Sequence, residues 1–415
     1  MIRGLIVVAC VVLLPPVVTS TATARLASDP ITVWSIAASE AAAASAMPPL
    51  RTPVTLAILH LAMYDAVNAV TEDRAPYLAK VAVVRPSSPR AAAIEAGYRV
   101  LVVEFPSREA QLGAKRTALL AELPDGPEKD SGVSVGGRVA SQLLAARAND
   151  GRNADRIHTP GSGAGVWIPT PPGFRAVTTS FLARIAPFTM TTASQFRPAG
   201  PPQLGSVKWA EEYNEVKTLG GKHSVARTRE QTATALFWEP LAGTVWPVTI
   251  RRLAAEHALD LPSSAHFQAA AFAAFADALI SCWDAKFHFN FWRPITAIQH
   301  GETDGNDRTE SDANWEPLAV TPDFPEYPSG HACATAAVAH TIEAFFPRTG
   351  IPARQAATGE ERVYQRAQDV VDEVIEARML VGVHFRSADV DGAEMGRRIA
   401  DQIQRDRFKE RRVGR

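Results

Sequence analysis

Long alanine-rich stretches with apolar residues at three- and four-residue steps constrain this chain more than any other feature. The longest runs from Ser264 to Phe289, where Phe267, Ala271, Phe275 and Leu279 form one apolar stripe. Apolar residues at this spacing share one face of an α-helix. The stretch therefore predicts a long, largely apolar helix.

Similar patterns recur along most of the chain, and no alternation of apolar and polar residues persists long enough to predict a β-strand. The other predicted helices are Thr32 to Ala46, Val54 to Val70, Arg90 to Val103, Glu109 to Glu122, Ser131 to Asn149, Val207 to Leu219, Arg229 to Trp238, Val248 to Leu259, His331 to Phe345, Glu360 to Val381 and Asp389 to Arg407. We therefore expect an all-α fold built from packed helical bundles.

The helical pattern is interrupted between residues 158 and 205, where proline, glycine, serine and threonine are frequent. We interpret this stretch as an irregular connection between an N-terminal helical layer, residues 25–157, and a C-terminal helical domain, residues 206–415. The connection contains three large aromatic residues, Trp167, Phe174 and Phe188. We therefore expect it to pack against the body of the protein, because long irregular loops are otherwise uncommon in compact domains.

The composition is that of an ordinary globular protein, with 46% hydrophobic and 21% charged residues in a chain of 415. A net charge of −1 gives no overall field that would attract nucleic acid, so we expect no nucleic-acid partner. An anion-binding site would therefore have to come from a local cluster of basic residues.

The first 24 residues have the features of a secretory signal peptide. Arg3 precedes an apolar run over residues 4–18, and Ala22-Thr23-Ala24 fits a cleavage site with small residues. A membrane anchor is the alternative, but the run is short for a spanning helix and contains Pro15-Pro16. We expect cleavage after Ala24, a secreted or periplasmic protein, and no later segment with the apolar length needed to cross a bilayer.

Two cysteines lie beyond that segment, Cys282 and Cys333. An exported protein permits a disulfide between them. Two buried free thiols are the simpler interpretation, since the chain has too few cysteines for a disulfide-stabilised scaffold.

Pro328-Ser329-Gly330-His331 predicts the start of a helix that could bind an anion. Ser329 is a good N-cap for the alanine-rich run that follows. The backbone N–H groups of Gly330 and its neighbours would then be free at a helix N-terminus, where anions bind readily. His331 would lie in the first turn and can exchange a proton near neutral pH.

A second segment supplies two cations beside aromatic residues. Lys286 and Arg293 are seven residues apart, close to two helical turns, which predicts that they project from one face. Pro294 disfavours helix continuation at Arg293 and so predicts that this guanidinium lies at a helix end. A bidentate guanidinium suits oxyanions. His288, between the two cations, could tune the site or form a structural hydrogen bond.

A third segment runs from Arg378 to His384. Arg378 lies near the end of a predicted helix, which Gly382 can terminate in the left-handed conformation. His384 would then lie in a turn before the last helix. Together the three segments provide one lysine, two arginines, two histidines, a hydroxyl and a helix N-terminus, which suits a tetrahedral oxyanion that becomes five-coordinate.

These three segments resemble the signature of the superfamily shared by vanadium-dependent haloperoxidases and type-2 phosphatidic acid phosphatases, in its bacterial chloroperoxidase-like branch. The signature is Lys-x6-Arg-Pro, Pro-Ser-Gly-His and Arg-x5-His, here at Lys286–Pro294, Pro328–His331 and Arg378–His384. The segment from Arg227 to Trp238 also resembles that branch. The likeness covers residues 200–400 and implies a chloroperoxidase-like helical fold with the anion site in the C-terminal bundle.

The resemblance implies that five residues hold the oxyanion. Lys286, Arg293 and Arg378 would neutralise its equatorial oxygens. The Ser329 hydroxyl and the Gly330 N–H would donate hydrogen bonds to it.

Four further roles follow from the same resemblance. His384 would bind vanadium directly, or attack phosphorus in a phosphatase. His331 would be the acid/base group. Trp283 and Phe324 would line the halide side.

The sequence departs from the family pattern at two positions. The chloroperoxidase branch has an acid that orients the arginine equivalent to Arg378, but the matching position here is Leu241, and Glu239 is the nearest acid. The phosphatases have an aspartate four residues after the last histidine, but that position is Ala388, with Asp389 one residue later.

We therefore favour an exported vanadium-dependent haloperoxidase with vanadate as cofactor, and hydrogen peroxide, a halide and a small organic acceptor as substrates. The alternative is a soluble acid phosphatase that cleaves a phosphate monoester, with His384 as phosphohistidine nucleophile and His331 as general acid. A third hypothesis is an exported helical protein that binds phosphate without turnover. Phosphate would compete with vanadate in the first case. The halide, the organic acceptor and any homo-oligomer are left open by the sequence.

Overall fold

The computed structural model describes residues 29–154, 158–240 and 242–409, so the predicted signal peptide lies outside the described residues. Over this part of the chain the fold is almost entirely helical, as predicted. The helices are α1 (Pro30–Ala44), α2 (Thr52–Thr71), α3 (Pro89–Glu104), α4 (Glu109–Ala121), α5 (Pro127–Ala146), α6 (Val207–Leu219), α7 (Arg229–Phe237), α8 (Ala242–Glu256), α9 (Leu261–Phe289), α10 (Pro294–Gln299), α11 (Gly330–Phe345), α12 (Ala367–Leu380) and α13 (Arg386–Asp406).

Several of these helices have a short polar side chain at the N-cap position. Asp29, Ser88, Ser206, Asp260 and Ser329 each accept a hydrogen bond from a backbone N–H in the first turn of the helix that they precede. Such N-caps satisfy donors that have no partner within the helix. The helix starts therefore follow local sequence signals.

The prediction of one helix from Glu360 to Val381 is wrong at its N-terminal end. Residues 351–364 form an antiparallel hairpin of two strands, β1 (Ile351–Arg354) and β2 (Glu361–Tyr364). The helix begins only at Ala367, because Asp369 accepts a hydrogen bond from the Arg366 backbone N–H and caps it there. The strands are too short for an alternating pattern to stand out in the sequence.

Helix α9 lies at the centre of the fold. It packs against α2 of the N-terminal part, which in turn packs against α3, and against α11 and α13 of the C-terminal part. Most of its side chains from Ser264 to Lys286 are buried, so the long apolar helix predicted from the sequence is confirmed. One hydrophobic cluster extends from α1 to α13. The division into an N-terminal layer and a C-terminal domain stays a prediction.

Residues 158–205 are irregular apart from a short 3₁₀ helix at Ser180–Arg184. Trp167 and Phe188 are buried as predicted, but Phe174 is 64% exposed. Two backbone N–H groups of this segment, those of Phe188 and Thr189, donate to the buried carboxylate of Asp277 on α9 at 2.7 Å. These bonds attach the connection to the central helix.

Two helical stretches in the described residues, Pro49–Thr71 and Leu261–Phe289, have the length and composition of membrane-spanning helices, contrary to the sequence expectation. Most of each apolar window is buried inside the protein. Core helices of globular proteins meet the same criterion, and burial accounts for their apolar character here.

Candidate active site

The start of α11 forms one wall of the site. Ser329 is its N-cap and the helix begins at Gly330, which places His331 in the first turn as predicted. A Cβ atom at position 330 would lie 2.9 Å from the ring of Trp283, so only glycine allows this contact. The helix start and Trp283 of α9 are therefore packed directly against each other.

Lys286 and Arg293 do come together, but not on one helical face. Helix α9 ends at Phe289, because Asn290 adopts a left-handed conformation with φ of 47°. Arg293 then precedes α10, whose first residue is Pro294. The left-handed turn, rather than the helical repeat, brings the guanidinium back toward Lys286.

Lys286 is fully buried beneath the segment that leads to Ser329. Its ammonium group donates to the backbone carbonyls of Pro325, Glu326 and Pro328 at 3.0, 2.8 and 2.6 Å. An ammonium group has three protons, and all three are used in these bonds. Lys286 therefore contributes positive charge and holds the 325–328 segment in place.

The two arginines each keep a buried nitrogen without a protein partner. Arg293 donates through Nε to the Phe324 carbonyl and through Nη1 to the Val383 carbonyl, while Nη2 has no partner among the described residues. Arg378 donates through Nη1 to the Trp238 carbonyl at 3.0 Å, while its Nε likewise has no described partner. Buried donors without partners are costly, so this arrangement favours a bound acceptor.

His384 lies in the turn between α12 and α13, and Gly382, with φ of 82°, precedes it as predicted. Its Nδ1 is 2.9 Å from Oε1 of Glu326, and its Nε2 is 3.4 Å from Nη1 of Arg293. The carboxyl oxygen of Glu326 accepts a hydrogen bond from Nδ1–H, which leaves the lone pair on Nε2. That nitrogen is the one available to coordinate a metal centre.

His331 faces the same cleft. Its Nε2 is 3.0 Å from the carbonyl oxygen of Pro240, so Nε2 carries the proton in the neutral ring. The unprotonated nitrogen is therefore Nδ1. Burial, followed by the charge of Arg378, lowers the pKa of His331 well below its usual value.

A small cleft with a cavity volume of about 30 Å³ lies among these groups. Predicted residues in its wall are Trp283, Phe324, Gly330, His331, Arg378 and His384, and the sequence interpretation missed Leu50, Phe275, Leu279 and Pro322. Trp283 and Phe324 are in contact, with ring centroids 5.0 Å apart. Leu50 comes from the N-terminal part of the chain, so the site is not built by the C-terminal bundle alone.

Two buried carboxyl groups also belong to the site, and the sequence interpretation assigned neither. Glu326 and Asp389 are both fully buried, and burial raises the pKa of each to about 8. The Ser329 hydroxyl interacts with Asp389 and partly offsets this rise in its pKa. Within the described residues, Oε2 of Glu326 and both carboxyl oxygens of Asp389 lack a hydrogen bond of regular geometry.

Asp389 supplies the acid near Arg378 that the family pattern places at position 241. That position is Leu241 in this chain, and it lies outside the described residues. Burial lowers the pKa of Arg378 to about 10, and the charge of Asp389 opposes this more than that of Glu239. Glu239 is exposed and meets Arg378 only through its backbone carbonyl, at 3.4 Å. Asp389, one residue after the aspartate position of the phosphatase pattern, is thus part of the site.

Burial is the main cause of the other pKa shifts. It lowers the pKa of Lys286 to about 8 and that of Arg293 to about 9. It also lowers the pKa of His384 well below its usual value, with Arg293 and Lys286 acting in the same direction. Both histidines are therefore neutral at pH 7 while the cations are charged.

Three residues in or near the motifs, His288, Cys282 and Cys333, do not line the cleft. His288 is exposed and contacts Phe289 edge to face. Cys282 and Cys333 are buried free thiols, which donate to the carbonyls of Pro328 and Ala278.

The residues present fit a tetrahedral oxyanion such as vanadate or phosphate. Unpartnered nitrogens of Arg293 and Arg378, a helix N-terminus and the charge of Lys286 supply donors and positive charge. His384 presents an unprotonated nitrogen. This donor set combines anion binding with one neutral ligand atom.

Comparison with known proteins agrees with this donor set. The family model of the VCPO second helical-bundle domain matches residues 266–410, which contain all nine predicted site residues. Residues 266–410 thus match a domain of this family, which supports the vanadium-dependent haloperoxidase superfamily that the motifs indicate.

Within the superfamily, the vanadium chloroperoxidase of Curvularia inaequalis is 27% identical over 57% of this chain and 47% of that protein. The chain thus spans about half the length of the curated relative it matches. The structure of a bacterial vanadium-dependent iodoperoxidase has a TM-score of 0.79 at 22% identity, covering 93% of this chain and 98% of that one. A holo-type bacterial vanadium-dependent chloroperoxidase has a TM-score of 0.67 at 20% identity, covering 86% and 93%. These two structures share the superfamily fold with this chain.

Proposed function

We propose that this protein is a vanadium-dependent haloperoxidase, which uses hydrogen peroxide to oxidise a halide to a hypohalous acid. The observation that carries the proposal is that Arg378 and His384 line one cleft, that Nη1 of Arg293 lies 3.4 Å from Nε2 of His384, and that each arginine keeps a nitrogen without a partner among the described residues. Relatives named as chloroperoxidase and iodoperoxidase support the same activity.

The anion-binding roles follow from the free donors. Nη2 of Arg293 and Nε of Arg378 would donate to vanadate oxygens, and Nε2 of His384 would be its protein ligand. When bound, vanadate supplies the Lewis-acid centre that activates hydrogen peroxide for halide oxidation. Phosphate, which has the same shape and charge class, would compete for these donors.

Proton transfer would fall to His331. Its ring is neutral at pH 7 and lines the cleft, so it can accept a proton from hydrogen peroxide as that oxidant binds. Burial keeps the pKa of the ring low, and the neighbouring cations act in the same direction, so the ring is neutral before peroxide arrives. Trp283 and Phe324 would form the apolar side on which a weakly hydrated halide approaches.

We also propose that the protein is exported, which the composition of residues 1–24 supports. Expression with the natural N-terminus and sequencing of the mature protein would test this. We expect a mature chain that begins at Arg25. An uncleaved chain that still begins at Met1 and is found in the membrane fraction would contradict export.

The activity is tested with the purified mature chain, vanadate, peroxide and, in turn, iodide, bromide and chloride. Halide oxidation that requires vanadate is expected, and His384→Ala should abolish it. His288→Ala is the matched control, because that histidine is exposed and outside the cleft.

A parallel assay follows hydrolysis of an aryl phosphate without vanadate. Phosphate release with no halide oxidation would replace the proposal with the phosphatase alternative. If neither reaction occurs but phosphate raises the melting temperature, the protein is an anion-binding protein without turnover.

A further inference from the structure

Residues 238–240 supply two backbone carbonyls that orient side chains of the site. The Trp238 carbonyl accepts from Nη1 of Arg378 at 3.0 Å, which leaves Nε of that arginine as the donor without a partner among the described residues. The Pro240 carbonyl lies 3.0 Å from Nε2 of His331, which keeps the ring proton on Nε2 and leaves Nδ1 as the base. The position of residues 238–240 therefore affects both an anion donor and the acid/base group.

This short segment lies between two helices, α7, which ends at Phe237, and α8, which begins at Ala242. The last carbonyls of a helix have no donor within the helix and need one from outside. Here the side-chain amide of Gln355 donates to the carbonyls of Leu236 and Phe237 at 2.9 and 3.3 Å. Gln355 directly follows β1, so the hairpin caps the end of α7 immediately before the segment.

Glu373 of α12 holds the segment through the indole ring of Trp238. Its Oε1 accepts from Nε1 of Trp238 at 2.9 Å. The same oxygen accepts from Nη1 of Arg362 and from the Tyr364 hydroxyl, both at 2.6 Å. Arg362 and Tyr364 belong to β2. One carboxylate thus connects Trp238 with both the hairpin and α12.

Helix α12 therefore contacts Trp238 at two points, with Glu373 at the indole N–H and Arg378 at the backbone carbonyl. Trp238 is 1% exposed, and a buried N–H that loses its acceptor is unfavourable, so its ring has one favoured orientation. The ring and the carbonyl belong to one residue. An anchor on the ring therefore also restricts the carbonyl that Arg378 binds.

We propose that Glu373 is a positioning residue of the active site, which acts through Trp238 on Arg378 and His331. Glu373 itself does not line the cleft. Without its carboxylate, residues 238–240 would shift and the two carbonyls would move with them. Arg378 would then present Nε to the oxyanion less well, and His331 would partly change to the Nδ1–H tautomer, which cannot accept a proton at Nδ1. The proposal rests on the proposed oxyanion site and assigns the hairpin to its support.

Three variants on α12 test this role. Glu373→Ala removes the acceptor, whereas Glu373→Gln keeps an oxygen that can accept from the indole N–H. Glu376→Ala is the matched control, because Glu376 is a glutamate of the same helix whose carboxylate binds a different arginine, Arg386. Each variant is titrated with vanadate by calorimetry and assayed for the kcat/KM of hydrogen peroxide.

We expect Glu373→Ala to weaken vanadate binding and to lower the kcat/KM for peroxide, each about 10- to 100-fold, the range for loss of a supporting partner. Glu373→Gln should lose only roughly 3- to 10-fold, the range for one weakened hydrogen bond. Glu376→Ala should resemble the wild type. Equal losses in the two alanine variants would overturn the proposal, because any ion pair on α12 would then have the same effect.

The tautomer of His331 is a reading that a mere loss of stability does not change. It is followed by ¹⁵N NMR of the folded, vanadate-free protein, with the ring signals assigned by comparison with His331→Ala. We expect the Nε2–H form in the wild type, a substantial Nδ1–H fraction in Glu373→Ala, and largely the Nε2–H form in Glu373→Gln. An unchanged tautomer in Glu373→Ala would overturn the proposal.

Trp238→Phe tests the same contact from the other side, and it also serves if Glu373→Ala does not fold. It keeps a buried ring but lacks the N–H that Glu373 accepts, so it should reproduce the tautomer change and the loss of affinity. Glu373→Gln should add little in the Trp238→Phe background, because the two residues act through one contact. Full additivity would overturn the proposal.

The tautomer and the vanadate affinity are both measured without turnover. They therefore decide the role of Glu373 even if the wild type oxidises no halide, a result that would contradict only the proposed activity.

Discussion

Nδ1 of His384 lies 2.9 Å from Oε1 of Glu326, and both side chains are buried. The same carboxyl oxygen accepts a hydrogen bond from the Phe385 backbone N–H at 3.0 Å. Glu326 therefore holds both the imidazole ring and the turn that carries it. A carboxyl oxygen that accepts from Nδ1 directs the Nε2 lone pair toward the cleft, and it would support Nε2 in the proposed role as a ligand.

Glu326→Gln should weaken vanadate binding and halide oxidation 10- to 100-fold, the range for loss of such a supporting interaction. At pH 7 the carboxyl group of Glu326, with a pKa of about 8, is largely protonated, so this change removes little charge. The amide can present its NH₂ group instead of an oxygen to Nδ1, so the Nδ1–H tautomer of His384 is less favoured. Calorimetric titration with vanadate measures the affinity, and ¹⁵N NMR of the histidine ring reports the tautomer.

Glu302→Gln is the control for this experiment, because Glu302 is an exposed glutamate outside the cleft. It should leave both readings unchanged. If Glu326→Gln keeps wild-type affinity and the same tautomer, Glu326 does not position His384.

The contribution of Glu326 shows which part of the site the sequence could not predict. The motif residues are recognisable because their types and spacing are specific. Glu326 lies between Pro325 and Tyr327, outside the three motifs, and nothing local indicates that its carboxyl group contacts a histidine 58 residues later. Leu50 is harder still, because its place in the cleft depends on how the N-terminal helices pack.

In the fold too, the elements that local sequence defines were predicted, and those that depend on distant contacts were not. Helices such as α6 were predicted to the residue, because a cap and an apolar repeat define them locally. The hairpin at residues 351–364 was missed, since its four-residue strands are stabilised by contacts with α8 and α12. The approach of Arg293 to Lys286 depends on one left-handed residue, Asn290, which a helical repeat does not reveal.

Arg378→Lys should lower the affinity for vanadate 10- to 100-fold and leave the fold intact. Lysine keeps the charge but lacks the Nε donor, which has no hydrogen-bond partner in the described part of the chain, and lysine cannot form a planar, two-pronged contact. Isothermal titration gives the affinity, and thermal unfolding without anion should show a loss of about 1 kcal/mol.

Arg398→Lys is the matched control, because Arg398 is exposed and packs its guanidinium on Phe196. Equal affinities in the two lysine variants would mean that the guanidinium of Arg378 does not bind the oxyanion.

Gly330→Ala should destabilise the protein by about 1–3 kcal/mol, the usual cost of overpacking a core. The added Cβ would lie 2.9 Å from the Trp283 ring, so α11 or the indole must move. The helix N-terminus would shift with it, and vanadate affinity should fall. Denaturant unfolding and vanadate titration measure the two effects.

Combining Gly330→Ala with Trp283→Phe gives a decisive comparison. The smaller ring removes the clash, although it also loses the hydrogen bond from the indole N–H to the Thr179 hydroxyl at 2.9 Å. The double variant should therefore be more stable than the sum of the single changes predicts. Simple additivity would show that the contact between Gly330 and Trp283 is not the cause.

Oxyanion affinity should fall as the pH rises above about 8. Burial lowers the pKa of Lys286 to about 8, so its positive charge is present below that pH and lost above it. Burial raises the pKa of Glu326 and Asp389 to about 8, so these groups gain negative charge over the same range. All three changes oppose anion binding, and each linked proton weakens it by up to about tenfold per pH unit.

Tungstate is the probe for this prediction, because its own charge does not change between pH 6.5 and roughly 9.5. Its dissociation constant, measured by calorimetry, should be nearly constant below pH 7.5 and rise steeply above pH 8. Asp389→Asn removes one of the titrating groups, so its profile should be less steep and its affinity at pH 9 higher than that of the wild type. A wild-type profile that stays flat to pH 9.5 would contradict the assignment of these three groups to the anion site.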